Sequence, residues 1–150
     1  MPNNRVFHES KKFENIDFSG NKLRNREFYK CNFIGCNFTE SDLTGNSFDE
    51  CTFDECNFSM TIVHGTSFRD VVFKGCKLLG IDFSQCNRLM FTFRFDNCIM
   101  DYCTFYGTKL DKTNFNKCSL REVDFTEANL QSAQFSESDL TGTLFSNTNL

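Results

Sequence analysis

A large apolar residue stands at every fifth position of this chain. The 15 positions taken five apart from Phe13 to Phe83 are all Phe, Leu or Val. The register then slips by two residues and resumes at Met90, continuing through Phe95, Met100 and Phe105 to Leu150. Of the 20 phenylalanines, only Phe7, Phe91 and Phe93 lie outside these two series. A five-residue period suits neither regular element. On an α-helix each step turns about 500°, so the positions drift around the axis without forming a stripe. On a straight strand an odd step alternates faces and would leave half of the rings in water. The chain must therefore turn once per quintet, and four turns close a square coil.

The residue two places before each central position points the same way in an extended segment and should be small. It is Cys31, Cys36, Ser41, Cys51, Cys56, Thr61 and Thr66 in the first register, and Cys98, Cys103, Thr108, Thr113, Cys118 and Val123 in the second. All nine cysteines fall in this slot, with no C-x-x-C pair, so they read as buried structural thiols and not as a metal site or disulfide framework. Glycine recurs two places after the centre, for example at Gly35 and Gly80, where a corner needs a permissive backbone.

The quintets Cys36-Asn37-Phe38, Ser41-Asp42-Leu43, Cys56-Asn57-Phe58, Val123-Asp124-Phe125, Ala128-Asn129-Leu130 and Ser138-Asp139-Leu140 resemble the pentapeptide-repeat family, whose motif is loosely A-[DN]-[LF]-x-x. The resemblance spans roughly residues 13 to 150. It implies a right-handed quadrilateral β-helix, an all-β solenoid. About seven coils at ~4.8 Å spacing predict a rod on the order of 34 Å long. The expected organisation is an N-terminal flank or cap over 1–12, a first register over 13–83, a break near 84–93 and a second register over 90–150. Stacking at intervals of twenty predicts four columns: Phe13 to Phe135, Phe18 to Leu140, Leu23 to Phe145, and Phe28, Phe48, Phe68, Met90, Leu110, Leu130 and Leu150.

Composition narrows the function. The 150 residues suit one domain, 24% are charged, and no apolar run approaches a membrane span. A formal charge of −4 argues against direct nucleic-acid binding. No apolar leader is visible near Met1, so a cytoplasmic protein is expected. His8 and His64 read as surface residues, no metal or cofactor site is recognisable, and no cluster of titratable groups suggests an enzyme. The chain stops at Leu150, a core position with no cap after it, which reads as a truncation.

Solenoids act through their outer faces. The outward apolar residues Met60, Ile62, Leu79, Ile99, Tyr102 and Tyr106 gather on two adjacent faces around the break and form a candidate partner surface. The more ordinary expectation is that residues 84–93 fold over them, with Leu89 and Phe91 packing down. A second candidate surface is acidic: Glu40, Asp42, Asp49, Glu50, Asp54 and Glu55. Some pentapeptide-repeat proteins, the quinolone-resistance and microcin-immunity types, imitate duplex DNA and bind DNA gyrase, and Cys76 to Phe83 is similar to their equivalent segment. That resemblance implies a gyrase or topoisomerase partner and a homodimer through a C-terminal region missing here. The acids are scattered around the rod, however. The primary expectation is a non-catalytic scaffold that binds another protein.

Overall fold

The computed structural model describes residues 5–150. The chain winds into a four-sided solenoid whose strands pair in parallel, each quintet lying on its counterpart one coil away. The ring column of the first face shows how regular the winding is. Phe13, Phe33, Phe53, Phe73, Phe95, Phe115 and Phe135 stack at centroid spacings of 4.8, 4.8, 5.0, 5.4, 5.2 and 5.1 Å. These seven levels match the expected coil count. Rings on neighbouring faces meet edge-on, as Phe33 and Phe38 do at 5.7 Å and 65°. A filled axis with both stacked and T-shaped contacts is how aromatic cores pack.

The first and fourth faces carry the formal strands. On the fourth lie β1 (Val6–Glu9), β3 (Arg26–Tyr29) and β5 (Ser47–Asp49); on the first lie β2 (Lys12–Glu14), β4 (Asn32–Ile34) and β6 (Thr52–Asp54). The eight-residue β7 (Ser67–Lys74) runs from the fourth face onto the first and joins both series. It pairs with β8 (Phe91–Asp96), which pairs with β9 (Asn114–Asn116). The second and third faces are held by single bridges such as Asn37↔Asn57 and Asp42↔Ile62. Their corners are hydrogen-bonded turns in which the amide three places on returns to the central carbonyl, as from Ser41 to Phe38 at 2.9 Å.

Corners fall two places after the centre, as the glycines suggested, yet most carry a side chain. Among the described residues 18 non-glycine positions and 8 glycines have positive φ. A side chain in that left-handed region costs about 1–2 kcal/mol, so local preference does not choose it. The next coil does. Most corner amides donate to a carbonyl one coil on, as Glu40 does to Ser59 and Met60 to Leu79 at 3.0 and 2.9 Å.

The small inward slot has a polar task as well as a steric one. Its side chain donates to the carbonyl of a central residue one coil and one face back. Thr61 reaches Phe38 and Thr66 reaches Leu43 at 2.8 Å; Cys51 reaches Phe28 at 3.3 Å and Cys76 reaches Phe53 at 3.2 Å. The slot accepts a small donor, and also Val71, Ile81 and Val123, which are buried there without one. All nine thiols are free and buried. Burial pushes Cys51 and Cys103 up to about 12 and raises Cys86 as well, which keeps these thiols protonated and inert.

Four details differ from the sequence reading. The sheet begins at β1, which pairs with β3, so residues 6–12 belong to the first coil; residues 1–4 of the expected flank lie outside the described residues. His8 is half-buried. It heads the fourth column, stacked on Phe28 at 4.8 Å and 10°, and burial with Arg26 and Lys11 nearby lowers its pKa. Met90 is not a core residue. It is 45% exposed, and Phe91 takes its level opposite Phe68. Finally, Phe91 does not pack down over the surface patch; it is buried in the axis beside Phe93. The reason is one of register. Phe68 pairs with Phe91 but Val71 with Phe93, so β7 spends one more residue on the stretch than β8, and the bulge swings both rings inward.

Candidate partner-binding surface

Met60, Gly80 and Tyr102 occupy one corner column, between the second and third faces, on three successive coils. Met60 and Tyr102 both hold positive φ, and the Met60 thioether lies over Gly80 in the space a Cβ would fill. Ile99 and Leu79 on the second face and Ile62 on the third lie beside this corner, while Tyr106 lies past the third-face centre, next to the Gly107 corner. Five of the six are exposed: Met60 58%, Ile62 51%, Ile99 45%, Tyr102 70% and Tyr106 45%. Leu79 is half-buried. Of the six, Met60 and Ile62 line one groove with Gly80. The covering loop expected from residues 84–93 does not lie on them, because Phe91 is committed to the axis while Leu89 stands 91% exposed. The Tyr106 hydroxyl donates to Glu127 at 3.1 Å, which raises its pKa.

The slot one place before each centre on the two turn-cornered faces has a local task of its own. At Asp17, Asn37, Asp42, Asn57, Asp82, Asp124 and Asp139 an Asn or Asp stands there and its side-chain oxygen accepts the amide one place after the centre, whereas Lys22, Lys77, Thr104, Ser119 and Leu144 fill the same slot with other residues. Asn37 takes Thr39, Asp42 takes Thr44, Asn57 takes Ser59, Asp124 takes Thr126 and Asp139 takes Thr141, all at 2.8–3.0 Å. This local bond pins the turn. At Ile62 and Ile99 the slot holds an exposed β-branched apolar residue, so the bond is given up and apolar surface is shown to water instead.

Beside Ile62 the solenoid also opens. Its amide donates to Ser41 one coil back, but the Val63 and Asp82 amides make no bond across to each other's coil. The 3-10 turn Phe83–Gln85 shifts the register here, and Gly65 bonds to Gln85. The result is a shallow groove of about 370 Å³ between Ile62, His64, Gly80 and Asp82, floored by Val63. Sequence reasoning did not find this groove, since only the positional shift at 84–85 could have signalled it.

The acidic residues are not brought together. Glu40 and Asp42 lie at the start of the third face, Asp49 and Glu50 on the fourth face and its corner, and Asp54 and Glu55 on the first. Two of them are neutralised. Asp42 is buried and takes Arg24 Nη2 at 2.6 Å, and Asp49 takes Arg69 at 2.7 Å. Against the penalty of burial, the Thr44 hydroxyl, Arg24 and the Thr44 amide hold the Asp42 carboxyl down to about 2. Among the described residues no group of His, Cys, Asp and Glu is placed to hold a metal ion, and no helix is long and apolar enough to cross a membrane.

The square coil, the inward ring columns and the inward thiols define a β-solenoid built from five-residue units. A profile described as the pentapeptide repeat region matches residues 7–83 and 89–150, and the chain belongs to that family. The unmatched stretch is the register break. No curated protein sequence matches the chain. Among solved structures, full-length QnrB1, a plasmid-mediated fluoroquinolone resistance protein, aligns over 96% of this chain and 81% of its own, with 16% identity and a TM-score of 0.46. A pentapeptide repeat protein from the Arabidopsis thaliana thylakoid lumen aligns over 79% of this chain and 68% of its own, with 21% identity and a TM-score of 0.42. HetL, involved in heterocyst differentiation regulation in the cyanobacterium Nostoc, aligns over 99% and 89%, with 16% identity and a TM-score of 0.26.

Proposed function

We propose that this chain is a non-catalytic scaffold that binds another protein through the corner formed by the second and third faces. One observation carries the reading. Ile62 and Ile99 stand exposed beside Met60 and Tyr102, in a slot where Asn37, Asp42 and Asn57 on earlier coils carry the acceptor that pins the turn. A rigid solenoid has no folding reason to trade a hydrogen bond for exposed apolar area, whereas a partner that covers the area recovers it, at roughly 25 cal/mol per Å². The groove beside Ile62 offers that partner a place to seat a side chain. The acidic surface supports the alternative, a gyrase-binding DNA mimic, less well, because Arg24 and Arg69 cancel two of its six charges.

A photo-crosslinker placed at Lys77, on the second face, tests the reading in the native cell. The adduct formed by the wild-type chain is expected to vanish with Ile62→Asn plus Ile99→Asn and to persist with Asp49→Asn plus Glu50→Gln. Persistence through the first pair rejects the apolar surface. Inhibition of gyrase supercoiling that disappears with the second pair and survives the first would instead select the DNA mimic.

A further inference from the structure

A second opening lies on the fourth face, at the register break, between residues 88–93 of one coil and 109–113 of the next; it encloses about 680 Å³. Its origin is in the ladder. Below it the winding is regular: Lys109 bridges Asn129, and the amides of Leu110 and Lys112 donate to Asn129 and Gln131 at 2.8 and 2.9 Å. Above it nothing reaches down. The Lys109 amide and the Lys109 and Asp111 carbonyls are directed at the coil above and make no bond with it, whereas the equivalent Asn129 amide bonds Thr108 at 2.9 Å. The extra residues of the break lift the upper coil away from this edge. Arg88 alone spans the gap nearby, donating to the Gly107 carbonyl at 2.5 Å.

The chemistry of the opening is uneven. Its floor is the edge of Phe91 and Phe93, with Leu89 standing 91% exposed at the mouth. Its rim carries Arg88, Lys109 and Lys112 against the single acid Asp111, in a protein whose formal charge is −4. We propose that this opening is a docking site for an extended, acidic peptide segment of a partner protein. A strand entering here would supply a carbonyl for the Lys109 amide and amides for the two carbonyls, alternate apolar side chains for the floor, and carboxylates for the rim. The unpaired main chain selects a peptide over an amphiphilic anion such as a fatty acid, which has the charge and the tail but no matching amides. The site lies on a different face from the apolar corner and stands or falls independently of it.

The test uses the full chain with fluorescein-labelled heptapeptides of alternating Glu and Leu, their Lys and Leu counterparts, and dodecanoate. By fluorescence anisotropy at low salt the acidic peptide is expected to bind at least roughly tenfold tighter than the basic one. Lys109→Gln plus Lys112→Gln should weaken it by about the same factor, and Ile62→Asn should leave it unchanged. Hydrogen exchange should show the Lys109 amide open in the free protein while Asn129 is protected, then closed by the acidic peptide and not by dodecanoate. Equal binding of the basic peptide, indifference to the lysine substitutions, or equal protection by dodecanoate would overturn the proposal. So would a Lys109 amide already as protected as that of Asn129.

Discussion

Asn and Asp recur one place before the centre because the amide one place after it, at a tightly turned corner, has no carbonyl in line. Asn37, Asn57 and Asp124 each satisfy such an amide. Ile62 and Ile99 do not, so Ile62→Asn and Ile99→Asn should each raise stability by about 0.5–1.5 kcal/mol, read as a higher urea midpoint. A fall would show that these isoleucines serve the fold and not a partner. Asp42 contributes a pH dependence of its own. Its folded pKa of about 2 lies below the ordinary 3.8, so its contribution is complete above about pH 4 and is lost as pH falls through 2. The gap between wild type and Asp42→Asn in urea should be about 1–2 kcal/mol near neutrality and close between pH 4 and pH 2.

At the level of elements, β7 and β8 decide how a broken register is healed. The bulge between Phe68 and Val71 turns Phe91 and Phe93 inward and leaves Met90 outside. Phe91→Ala should therefore cost about 3–5 kcal/mol and Met90→Ala less than about 0.5 kcal/mol, both by urea unfolding. The reverse order would restore the unbroken five-residue count. Periodicity pointed to Met90 because it extends the spacing backwards from Phe95. It could not weigh a two-residue corner insertion against a bulge in the facing strand, which is a choice between two strands twenty-odd residues apart. His8 was missed for a related reason: it lies five before Phe13, but an imidazole is polar enough to pass as a surface group, and only the ring of Phe28 beneath it shows otherwise.

For the molecule as a whole, each coil touches only its neighbours, so stability is a sum of adjoining interfaces. Phe115 has rings above and below it, Phe95 and Phe135, and is fully buried. Phe145 stacks on Phe125 alone and is only partly buried. Phe115→Ala should cost about 3–5 kcal/mol and Phe145→Ala roughly half of that or less, again in urea. Equal costs would mean that the last coil is covered in solution by something absent from the isolated chain.

The sequence alone determined the square cross-section, the four ring columns away from the break and the inward thiols. The cause is that one bend per quintet is the only way to bury every fifth side chain, and such a pattern needs no knowledge of contacts. It also singled out six outward apolar residues. Whether they were covered was decided only in three dimensions, because that depended on which way Phe91 turned. The two openings beside the register break belong wholly to tertiary structure. They exist where main-chain amides and carbonyls of adjacent coils fall out of line, and main-chain groups are the same in every residue.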